Sequence, residues 1–142
     1  LSRAIAQLNG YTAAQMARLE IASHTWFHIT RKGGYFGVHN HPMASWSGAY
    51  CVDAGEGNGG HPESGALHFL NPMQLANMYV DAANNHVRAP YGMTGKTYHF
   101  RPGQLVLFPS WVNHEVLPFQ GEGTRITVAF NCWFNMREDA GS

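Results

Sequence analysis

The hydrophobic pattern changes character near residue 23. Before it, "YTAAQMARLEIA" strings together Ala, Gln, Met, Arg, Leu and Glu, which lose little side-chain freedom in a helix, and Thr12 stands where an N-cap belongs. Residues 1–22 therefore predict helix. After Ser23, β-branched and aromatic residues gather in short runs separated by Gly, Pro and Asn. Eight such runs predict strands at 25–30, 35–41, 46–53, 65–70, 97–100, 104–108, 114–118 and 125–134. Alternation is cleanest in the last. Arg125, Thr127, Ala129, Asn131 and Trp133 share one face, while Ile126, Val128, Phe130, Cys132 and Phe134 form an apolar face expected to pack outward on a helix or another sheet layer. Residues 71–96 are too polar and broken for core strands and predict a loop with a helical turn, placed where a lid or substrate loop could sit.

One domain is expected, with a helical segment at 1–23 and a mainly β domain at 24–142. Eight short strands after one helix predict a jelly roll (a double-stranded β-helix), with an up-and-down barrel as the alternative.

Composition narrows the function classes. Charged residues make up 13% of the 142, about half the usual ~25% of soluble domains, and nine cationic side chains balance nine anionic ones. That balance argues against a nucleic-acid surface and a polybasic membrane tether. No apolar run approaches the ~18 residues of a membrane helix, and the opening residues do not resemble a secretory signal. Cys51 and Cys132, with no CxxC, read as buried free thiols of a reducing compartment, so a cytoplasmic location is expected. Low charge and many aromatics make a homodimer a reasonable expectation. The excess is in histidine, of which there are nine.

Period-two alternation in 35–41 sets Tyr35, Gly37, His39 and His41 on one face, with Phe36 and Val38 on the other. Two adjacent inward imidazoles need partners for their ring nitrogens, and a metal satisfies both. Further on, "RPGQLVLFPSWVNHEVLP" combines a Gly turn, an apolar strand, a Pro-Ser corner and His114. The HxH and this late His resemble the two metal motifs of cupins, although Ser45 or Trp46 stands where the cupin acidic ligand belongs. Arg125 lies eleven positions after His114, on the more polar face of its strand. A guanidinium there is expensive to bury without an anion, and a carboxylate is its natural bidentate partner. Glu115 and Glu122 are the candidates within the chain.

The pieces "HNHP", "WSGAYCV", "SGALHFLNP", "RPGQLVLFPSWVNHEV" and "RITVAFN" resemble the Fe(II)/2-oxoglutarate-dependent dioxygenase superfamily, and within it the 2OG-Fe(II) oxygenase family, over residues 24–134. The resemblance implies a double-stranded β-helix with iron held by His39, His41 and His114. His41 stands where most members have a carboxylate. Three imidazoles also suit Zn(II), and Asp53 is a candidate for the missing carboxylate. The resemblance further implies 2-oxoglutarate as co-substrate, chelating the metal and setting its far carboxylate on Arg125. Thr127, Tyr35 or Tyr50 would add a hydrogen bond, and Asn131 would join the site. Hydroxylation of a small-molecule or unknown prime substrate is the default outcome, with Trp46, Trp111 and the 71–96 loop as candidate walls. A cupin-like metalloenzyme without 2-oxoglutarate (isomerase, lyase or direct dioxygenase) and a non-catalytic ligand-binding jelly roll are the alternatives. His28 is a candidate for the shell around the ligands; His24, His61, His68, His86 and His99 read as structural or surface groups.

Overall fold

The computed structural model describes residues 2–73, 81–88, 91–92 and 94–137. The chain opens with two short helices, α1 (Ser2–Asn9) and α2 (Ala13–Arg18). Gly10, at a φ of 69°, ends the first, and the Tyr11 N–H donates back to the Ala6 carbonyl at 3.1 Å. Thr12 caps the second as expected. Its hydroxyl accepts from the Gln15 N–H at 3.2 Å, and the Gln15 side chain accepts from the Thr12 N–H at 2.9 Å.

The predicted helix ends four residues early. From Leu19 the chain is strand β1 (Leu19–Thr30), paired antiparallel along its whole length with β8 (Arg125–Met136). Helix propensities of Leu, Glu and Ala differ from those of strand formers by only tenths of a kcal/mol, too little to outweigh an unbroken ladder. The other strands are β2 (Phe36–His39), β3 (Trp46–Asp53), β4 (Leu67–Phe69), β5 (Lys96–Tyr98), β6 (Leu105–Pro109) and β7 (His114–Val116). Each predicted run overlaps one strand.

The strands form two four-stranded sheets, ordered β1-β8-β3-β6 and β2-β7-β4-β5. The antiparallel pairs are nested: β1 with β8, β2 with β7, β3 with β6 and β4 with β5. The chain is thus doubled back on itself and wound into a jelly roll. An up-and-down barrel would pair sequence neighbours, and among the described strands only β4 and β5 are such a pair. Within 71–96, Asn84–His86 forms a 3₁₀ turn, while residues 74–80, 89–90 and 93 of the expected lid lie outside the described residues.

Leu67, Phe69 and Phe108 are buried between the sheets with Phe100, Val106, Val112 and Val116 packed against them. Phe119 is a second anchor. A side chain at Gly55, where φ is 76°, would meet its ring at 2.4 Å. Phe119→Ala is expected to lower the unfolding free energy by about 3–5 kcal/mol, read from urea denaturation midpoints.

The outer face of the β1-β8-β3-β6 sheet departs from the expected packing. Cys132 is fully buried there and Trp46 donates to Asn9 of α1 at 3.0 Å, yet Phe27, Ile29, Tyr50, Val52 and Leu105 are exposed. Both cysteines are free and buried, as expected. No helix among the described residues is long and apolar enough to cross a membrane.

Candidate metal centre

The nested pairing explains how residues far apart in sequence meet. The β2–β7 register sets His39 directly opposite His114, with ring centroids 4.3 Å apart. His41 lies just past the end of β2, where its N–H donates to the Ser110 carbonyl at 2.9 Å. Its ring is 5.2 Å from that of His39 and 5.1 Å from that of His114. One ring nitrogen from each histidine can be chosen so that all lie within 4.8 Å of one another.

Backbone carbonyls orient two of the rings. His39 Nδ1 lies 2.7 Å from the Gly37 carbonyl and His114 Nδ1 lies 3.0 Å from that of Val112. A carbonyl only accepts, so each Nδ1 carries the proton and each Nε2 can offer its lone pair to a metal. Burial of His114 pushes its pKa down to about 4. The Val112 carbonyl works against that shift, and His39 and His41 add to it. Burial, then His39, lowers that of His41 as well. Both rings are therefore held in the neutral form that ligation requires.

Strict alternation does not survive in β2. A register shift between Phe36 and His39 brings both side chains to the cavity between the sheets. Tyr35, expected on the His39 face, is instead 65% exposed. Tyr50 is likewise corrected. Its register opposite Val128 and Leu105 puts it on the outer face, 40% exposed.

Arg125 and Thr127 line the same cavity as His39 and His114, and are buried to 3% and 5% exposure. Arg125 Nη1 makes a long contact of 3.5 Å to Thr127 Oγ1, and its guanidinium lies 5.8 Å from the Phe100 ring centroid. The carboxylates considered as its partners are engaged elsewhere, Glu115 with His68 and Glu122 with Lys32, each at 2.9 Å. Among the described residues no carboxylate pairs with Arg125. Gly65 admits its stem, since a Cβ there would sit 3.1 Å from Arg125 Cδ. Ala49 and Ala129, opposite each other on β3 and β8, line the cavity and leave its floor open.

His28 also faces this cavity. Its Nε2 accepts from the Trp26 indole N–H at 2.7 Å, and burial followed by the Arg125 charge lowers its pKa. The parity of Trp26 and His28 on β1 was the available sequence signal. Asn131, expected to join the site, lies beside a candidate ligand, with its Nδ2 3.3 Å from His41 Nδ1. Asp53 is turned away from the imidazoles to cap a turn, accepting from the Gly55 N–H at 2.9 Å. Trp46 sits on the outer face and Trp111 on the surface, so neither walls the cavity. Phe100, Gly65, Ser47 and Ser110 were not singled out by the sequence; the last three lie within the family-like pieces, but nothing local marks them as facing the site.

Fold and site together define a jelly roll with a candidate mononuclear metal centre and a buried cation facing one cavity. The family described as "Putative 2OG-Fe(II) oxygenase" matches residues 24–131, and the chain belongs to that family. Two solved structures share the fold. An oxidoreductase of the 2OG-Fe(II) oxygenase family from Burkholderia pseudomallei is 13% identical with a TM-score of 0.60, over 92% of this chain and 49% of that one. A prolyl-4-hydroxylase from Pseudomonas putida is 21% identical with a TM-score of 0.57, over 95% of this chain and 60% of that one. The chain thus spans about half to three-fifths of their lengths. No curated protein matches it in sequence.

Proposed function

We propose that this protein is a non-haem Fe(II)- and 2-oxoglutarate-dependent dioxygenase that hydroxylates its substrate. The observation that carries the reading is Arg125, a buried cation without an anionic partner among the described residues, in the cavity that His39 and His114 also line. Iron and 2-oxoglutarate would supply the oxidative chemistry with dioxygen as oxidant, one oxygen atom going to succinate as carbon dioxide leaves and the other into a substrate C–H bond.

The residues divide the remaining work. His39, His41 and His114 are three neutral donors, so a divalent ion keeps its full charge and attracts a dianionic co-substrate more strongly than a site with a carboxylate ligand. Arg125 offers a fork of N–H groups to the far carboxylate, with the Thr127 hydroxyl beside it. Trp26, Phe36, Phe108 and Val116 give the cavity apolar walls that limit water. The three-imidazole donor set also favours a second reading, a Zn(II) or cupin-like metalloenzyme that does not use 2-oxoglutarate. That chemistry has no need of a buried guanidinium.

Anaerobic titration with Fe(II) and then 2-oxoglutarate is expected to produce the weak visible charge-transfer band of the chelate. Its absence from the wild-type protein overturns the reading in favour of the second. Ala129→Leu fills the cavity floor and is expected to weaken 2-oxoglutarate binding by about 10–100-fold while leaving metal affinity unchanged, as measured in the same titration.

A further inference from the structure

The three imidazoles are not held alike. Backbone carbonyls set the Nδ1 protons of His39 and His114, whereas His41 Nδ1 faces the side-chain amide of Asn131. Behind Asn131 runs a buried hydroxyl chain. Ser47 Oγ donates to Asn131 Oδ1 at 2.7 Å and lies 2.7 Å from Ser110 Oγ, and the two serines are 1% and 0% exposed. Ser110 also accepts the His41 backbone N–H. The corner after β6 therefore holds the main chain of His41 directly and reaches its ring through β3 and β8.

We infer that Asn131 is a positioning residue for the metal, whose amide, turned to accept from Nδ1–H, holds the His41 tautomer that leaves Nε2 free. The inference rests on the three-imidazole reading above. With its nitrogen toward His41, the amide donates into the Nδ1 lone pair, which puts the ring proton on Nε2 and closes that atom to a metal. Turned about its last torsion, Asn131 Oδ1 accepts from Nδ1–H, and its Nδ2 donates to Ser47 Oγ. The serine hydroxyls rotate to accommodate the reversed direction. A metal on His41 Nε2 thus selects one of two orientations of a buried amide. A neutral amide does so without adding the charge that a carboxylate in its place would bring.

The test uses Zn(II) alone as the probe, by calorimetric titration of the whole chain, with ¹⁵N spectra of the imidazole nitrogens in the Zn(II)-loaded protein. Asn131→Leu is expected to weaken Zn(II) by about 10–100-fold, the usual scale for losing a partner behind a metal ligand. Asn131→Asp, which can only accept, is expected to bind at least as tightly as wild type. The loaded wild type is expected to show His41 protonated at Nδ1. Equal affinity of wild type and Asn131→Leu overturns the inference, as does a proton on His41 Nε2 in the loaded protein. So does weakening by Asn131→Asp, and that comparison decides alone should Asn131→Leu not fold. A wild type that does not bind Zn(II) overturns the three-imidazole reading itself, and this inference with it.

Discussion

Arg125→Met is expected to abolish 2-oxoglutarate binding while leaving the unliganded protein as stable as wild type, or more so. Removing one partner of a buried charge pair typically costs about 3–5 kcal/mol, roughly 10²–10⁴-fold in Kd. Arg125→Lys keeps the charge but loses the bidentate fork, so it should recover only part of that affinity. The stability half of the expectation follows from the missing partner. In the free protein Arg125 is buried against Phe100 with no carboxylate beside it among the described residues, so its desolvation is not offset by an ion pair. Methionine keeps a flexible stem beside Gly65 and removes the charge. Equilibrium titration with 2-oxoglutarate and urea midpoints measured on the same preparations check both halves. Unchanged co-substrate affinity in Arg125→Met would show that the guanidinium is not its anchor.

Acid is expected to destabilise the chelator-treated protein between pH 6.5 and about 4. His114 titrates at about 4 in the folded chain and near 6.5 once unfolded. Within that window the unfolded chain takes up a proton that the folded chain does not. The stabilisation is therefore fully present above pH 6.5 and lost progressively as pH falls toward 4. The shift corresponds to about 3 kcal/mol as a ceiling, and about 2 kcal/mol after allowing for residual solvent screening. His28 and His41, whose pKa values are lowered too, act in the same direction. Urea midpoints across this range should fall with pH, and His114→Gln should remove most of the slope. A flat profile in wild type would mean that His114 is not held neutral by burial. The same shift keeps His114 available to a metal at acidities where a free imidazole is already protonated.

Much of the fold could be read from local pattern. The eight β runs each carry a strand, Thr12 caps its helix, and the alternation in 125–134 assigns Arg125, Thr127 and Ala129 to the cavity side. That reading works where pairing is regular, because side chains then alternate with period two. It fails at 35–41, where the irregularity between Phe36 and His39 breaks the period and leaves Tyr35 in solvent. It fails at Tyr50 for a different reason. Tyr50 shares its parity with Gly48 and Val52, and the register with β8 puts that face outward.

By itself, then, the sequence determined the strand content and the inward face of the last strand, and it singled out three histidines and an arginine as candidates. Tertiary structure alone decided which of them meet and what each lacks. His39 faces His114 because β2 pairs with β7 across a 75-position separation, a register that no local window contains. Among the described residues Arg125 has no carboxylate partner, because Glu115 and Glu122 are drawn to His68 and Lys32. Asn131 turns to His41 because a hydroxyl chain from β3 and the corner after β6 holds its amide. Propensity and alternation act over a few residues, whereas partnership of buried polar groups is set by every strand packed around them.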